Sequence, residues 1–213
     1  MKTKRKALLL TFCAVLLVVA SVLGTIAYLT ANDTVANTFT VGQVAINLDE
    51  AKVTEDGEAV TSAERVKANR YKLLPGHTYT KDPTVTVLSG SESSYIKMTV
   101  TFNKANELDA IFAPNGADLT SIFNGYDDAN WIAKGNTKNT TANTRTYEFW
   151  YKEAVVAPTT DVKLDALFKS ITVPNDITGE QLATIQGMTI TVNAYAIQAD
   201  GFTTAKDAWD AFS

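Results

Sequence analysis

Twenty-three consecutive residues, Ala7 to Leu29, carry no charge, and Lys2, Lys4, Arg5 and Lys6 stand directly before them. A run of that length and composition can span a bilayer as a helix. A basic start, an apolar stretch and a small-residue exit together form the pattern of a secretory leader. Thr25-Ile26-Ala27 puts small residues at −3 and −1, which predicts cleavage between Ala27 and Tyr28. The positive flank keeps the N-terminus cytoplasmic and sends everything after the run outside, so contact with the membrane is expected only through this segment. Cys13 lies within the run, but Leu10-Thr11-Phe12 lacks the small residues that precede a lipid-modified cysteine. Cys13 reads instead as a membrane-buried thiol.

Without residues 1–27, four of the 19 Lys and Arg are gone. The remaining 15 face 23 Asp and Glu, a net charge of −8. Such a surface is unfavourable for nucleic acid, whose phosphates require bases. Cys13 is the only cysteine, so the exported part has no disulfide framework. His77 is the only histidine, which excludes HExxH and other two-histidine metal motifs. The 213 residues suit one medium-sized domain, and no second apolar stretch of membrane length follows the first.

That domain alternates with period two. Ile96, Met98, Val100 and Phe102 share one strand face against Tyr95, Lys97, Thr99 and Thr101. Ile190, Val192, Ala194 and Ala196 do the same against Thr189, Thr191 and Asn193, with shorter examples at 84–87 and 147–151. Between Phe39 and Leu48 the apolar parity switches at Gly42-Gln43, which predicts a bulge. Turn pairs such as Asp56-Gly57, Pro75-Gly76, Asn124-Gly125 and Asp200-Gly201 separate the runs. The reading is a mostly β fold, a sandwich of antiparallel sheets with a few short helices, preceded by an apolar signal helix.

Three helices are expected. Asn106–Ala113 gathers Leu108, Ile111 and Phe112 on one side. Thr178 and Gln181 form a capping box closed by Gly187. Ala205, Ala208, Trp209 and Phe212 make a stripe that should dock on the domain. The charged stretch Glu50–Asn69 reads as an exposed excursion with a short helix around Ala63–Ala68, and Asn136–Thr144 as a mobile loop.

Few residues point to chemistry. His77 sits in the turn Leu74-Pro75-Gly76-His77-Thr78, which also fails as a sortase signal because its Gly and Thr are out of register. Asp127, Asp128 and Asn130 offer clustered oxygens for calcium, against the simpler reading of a solvated Asx turn. Asn32 and Asn139 stand in glycosylation sequons. For the many serines and threonines His77 is the only conventional activating base, GxSxG, Walker and GxGxxG motifs are absent, and no catalytic, metal or cofactor site is expected. Trp131, Tyr147, Trp150 and Tyr151 could line a sugar groove, although one face of such a strand is normally core.

Three segments and the leader resemble a known group. Lys4–Leu29 is similar to signal peptides cut by the SipW-type signal peptidase of Gram-positive bacteria. Residues 38–46 (TFTVGQVAI) resemble the start of the mature domain in that group. Leu74-Pro75-Gly76 with 81–87 (KDPTVTV), and 194–202 (AYAIQADGF) with Ala208-Trp209, resemble later signatures. The group is the TasA/camelysin family of exported matrix proteins.

The resemblance implies a jelly-roll sandwich, secretion to the cell surface or extracellular matrix, and assembly into biofilm fibres with itself and other matrix proteins. It also implies that the segment freed by cleavage inserts as a strand into the next subunit, a form of β-augmentation. Here the organisation would be a signal peptide over 1–27, a donor segment over 28–37 and a single domain over 38–213. Tyr28, Leu29 and Val35 would be the donor's apolar anchors. The metallopeptidase label attached to camelysins has no support in a sequence without HExxH. The alternative expectation is a monomeric adhesin or glycan-binding module acting through the exposed aromatics.

Overall fold

The computed structural model describes residues 2–29, 42–112 and 122–212. The chain divides into two units, Met1–Val41 and Gly42–Ser213. The first contains helix α1, Lys2–Leu29. Its described side chains, residues 3–20, are exposed and include Lys4, Arg5 and Lys6 as well as Leu8, Leu10 and Phe12. Among the described residues no helix is long and apolar enough to cross a membrane.

Among the described residues the second unit is mostly β, with three antiparallel sheets and three helices, an arrangement consistent with a β-sandwich. Its centre is β4, Ser94–Asn103, whose residues alternate buried and half-buried along the whole strand. Ile96, Met98, Val100 and Phe102 are fully buried. Each such side chain contributes about 1.5–3 kcal/mol of burial. Strand β4 is flanked by β10, Ile190–Gln198, in register Ile96↔Ala196, and by β7, Thr144–Tyr151. Strand β6, Trp131–Asn139, forms the far edge, so the order is β10-β4-β7-β6.

A second sheet sets β3, Thr84–Val87, between β1, Ile46–Asp49, and β8, Val162–Lys163. The third sets β9, Ser170–Thr172, between β2, Thr78–Thr80, and β5, Phe123–Asn124. Val85, Val87, Phe123, Phe168 and Ile171 join the β4 row in one core. Within it Phe123 and Phe168 stack at 4.2 Å.

The expected helices are present as α2, Ala105–Phe112, α3, Gly179–Thr184, and α4, Ala205–Phe212. Both halves of the Thr178/Gln181 capping box form, and Gly187 takes φ +77° just beyond. Trp209 is buried.

Two expectations are corrected. Residues 136–144 are not a loop, because β6 runs to Asn139, β7 begins at Thr144, and the two pair as a hairpin. Polar side chains do not prevent pairing when both faces stay wet, and Asn136, Arg145, Lys138 and Asp109 lace this arm together. Around Ala63–Ala68 there is no helix. The excursion instead folds back through antiparallel bridges Glu50↔Val66 and Val53↔Ala59. Arg65 holds it there, bonding Asp49, Asp82 at 2.7 Å and Thr84 at 2.9 Å. Several charges assigned to solvent therefore work inside the fold, and Glu50 and Lys81 are buried. Of the parity switch before β1, Phe39 and Val41 lie outside the described residues, and Gly42–Ala45 is not strand.

Candidate functional site

Ala27, Tyr28 and Leu29 form the end of α1, and Val35 lies outside the described residues. What the described fold adds is the set of sheet edges on which a donated strand could lie, and most are blocked or short. Strand β6 is broken by a bulge between Ala133 and Gly135, with Gly135 at φ +115°, and it carries Lys134 and Lys138. Bulges and lysines are the usual protection of an edge strand. On the outer side of β1, Val66 exchanges both backbone hydrogen bonds with Glu50 at 2.8 and 2.9 Å, and the Lys67 ammonium donates to the Leu48 carbonyl. Strands β2, β5 and β8 have three, two and two residues.

Strand β10 differs on every count. It spans nine residues, contains no charge, proline or glycine, and pairs with β4 without a bulge. Among the described residues no strand pairs with its other side. Hydrogen bonds at its ends, Asn103 N–H to the Thr189 carbonyl at 3.3 Å and Ala199 N–H to the Ser93 carbonyl at 2.7 Å, set the phase of the ladder. Odd-numbered residues face β4, so Ile190, Val192, Ala194 and Ala196 turn their N–H and C=O groups outward. The side chains of the same four residues point at the core, yet they are only half-buried, where their partners on β4 are fully buried. Strand β1 lies beside β10, and its Ile46 and Leu48 are half-buried as well. The outer face of β10 is flanked by α4, through Tyr195 and Phe212 at 6.2 Å.

The aromatic residues do not form a groove. Trp131 and Tyr147 are core residues, and the Trp131 indole N–H donates to the Asp165 carbonyl at 3.1 Å. Tyr151 stacks edge-on against Trp131, and burial, with the charges of Asp165 and Asp127, raises its hydroxyl pKa. Trp150 is half-buried on the opposite face, with the Lys134 ammonium 4.2 Å from its ring and Trp209 at 6.4 Å.

His77 is an exposed turn residue. Asp127 accepts from the Asn130 backbone N–H, three residues on, at 3.3 Å and from the Asn130 side-chain amide at 2.9 Å, so its oxygens are engaged within their own turn. Among the described residues no group of three or more His, Cys, Asp or Glu could hold a metal ion. Asn139 is exposed at the end of β6, and Asn32 lies outside the described residues.

No family model, curated protein or solved structure matches this chain.

The half-covered β10 edge was not singled out from the sequence, although its signal was there. A nine-residue alternation with no charge, proline or glycine is the pattern of an unguarded edge.

Proposed function

We propose that this chain is a secreted structural subunit of a Gram-positive cell-surface or biofilm matrix, with a jelly-roll arrangement of its sheets. In this reading α1 is the signal helix. A SipW-type peptidase cuts between Ala27 and Tyr28, and the freed segment 28–37 is donated to the next copy. The observation that carries it is the row Ile190, Val192, Ala194, Ala196, half-buried beside outward-turned backbone groups on a charge-free edge. A strand laid there would satisfy those groups and cover the apolar row, giving affinity and register together. A head-to-tail contact that does not close on itself builds a filament. The resemblance to TasA/camelysin proteins supports the same reading. The rival adhesin reading loses its groove, since Trp131 and Tyr147 are committed to the core.

The test is negative-stain microscopy of protein beginning at Tyr28 beside protein beginning at Thr38. Filaments from the longer form alone are the expected result. Filaments from both would move the interface away from residues 28–37, and a folded monomer in both cases would overturn the structural role.

A further inference from the structure

Lys81 is the only buried lysine among the described residues, 6 % exposed, and its ammonium lies 2.6 Å from Glu50 Oε2. Glu50 is itself 7 % exposed. Its other oxygen, Oε1, accepts from the Asn69 side-chain amide at 3.0 Å. One buried carboxylate thus holds a primary amine and a carboxamide on its two oxygens. The Asn69 carbonyl oxygen is fixed in turn by the Val53 N–H at 3.0 Å, and Asn69 Nδ2 also donates to the Ala51 carbonyl at 2.8 Å. The Tyr71 hydroxyl stands at the same place: burial first, then the Glu50 charge, raise its pKa, and a hydrogen bond with Asn69 opposes them. A buried ion pair is a poor source of stability, because desolvation of both charges offsets their attraction. The surroundings are instead suited to joining the two groups.

We propose that Lys81 and Asn69 become linked by an intramolecular isopeptide bond, with Glu50 as the proton relay. Lys81 passes a proton to Glu50, and the lone pair of the freed amine forms a bond to Asn69 Cγ. Negative charge collects on Oδ1, where the Val53 N–H already points, the arrangement that stabilises an oxyanion. Glu50 then carries a proton from the attacking nitrogen to Nδ2. The Cγ–Nδ2 bond breaks, ammonia leaves, and the second proton stays on Glu50. No oxidant or cofactor enters, and both buried charges disappear. Proximity on one carboxylate replaces an encounter that would otherwise be bimolecular. The bond would close a ring over the eleven residues between Asn69 and Lys81 and pin the 50–69 excursion beside β2.

The test is the intact mass of the purified full chain, followed by a tryptic map. The expected mass is lower than that of the sequence by one ammonia. The map should show Ala68–Arg70 joined to a peptide spanning Leu73–Lys97, uncut after Lys81. Glu50→Gln and Asn69→Ala should each restore the full mass. A wild-type chain of full mass, with Asn69 and Lys81 in separate peptides, would overturn the proposal. So would an ammonia loss that maps to the linear Asn115-Gly116 or Asn124-Gly125 peptide, or a cross-link that survives in Glu50→Gln.

Discussion

Asp109 on α2 accepts from two cations of the β6–β7 arm, Lys138 at 2.8 Å and Arg145 at 2.5 Å. Burial would raise its pKa, but the two hydrogen-bonded bases outweigh that, and the carboxyl sits below the ordinary aspartate range. A group with a lowered folded pKa stabilises the fold above its unfolded value, about 3.9, and that contribution is lost as pH falls through the folded value. Chemical unfolding of wild type and Asp109→Asn from neutral pH down to about 2 should therefore show converging midpoints in acid, with wild type ahead only at higher pH. A constant gap across the series would mean that Asp109 acts through packing rather than charge. Its partners explain why the arm escaped a reading of residues 136–144 alone. The ions that order it come from Asp109, some thirty residues upstream, and no local pattern marks them.

Among elements, α4 is held mainly by Trp209. The ring is buried against the outer face of the β10-β4-β7-β6 sheet, with the Lys97 ammonium 4.5 Å away and Phe212 edge-on at 5.7 Å. Lys97 also lies 3.7 Å from Glu148 on β7, so one side chain ties helix and two strands together. Trp209→Ala should cost about 3–5 kcal/mol, the range for removing a buried aromatic. Thermal unfolding would read this as a lowered midpoint, and an unchanged midpoint would mean that α4 is not docked in solution. The helix was legible from its i, i+3, i+4, i+7 stripe, as was β4 from its alternation, because each places its apolar residues within a few positions of one another. The Glu50–Asn69 excursion was not. Its order rests on Arg65 and Glu50 reaching Asp82 and Lys81 across long sequence separations, and charges that bond at a distance look like solvated charges in a sequence.

At the scale of the molecule, assembly depends on which sheet edge is left to a partner. A donated strand needs outward N–H groups, an apolar row to cover and no guard, and only β10 offers all three among the described edges. Proline removes one N–H and is tolerated at an edge where that N–H is not in the ladder. Ala194 is such a position, since its backbone turns away from β4. Ala194→Pro, in protein beginning at Tyr28, should therefore abolish filaments while the unfolding midpoint stays close to wild type. Lys134→Thr on the guarded edge of β6 should leave filament formation unchanged. If Ala194→Pro assembles as wild type does, the acceptor lies elsewhere. If it instead destabilises the monomer strongly, the β10 edge is already used within one chain. A selective loss of filaments with an intact fold is the one outcome in which the free edge of β10, rather than its core face, carries the assembly.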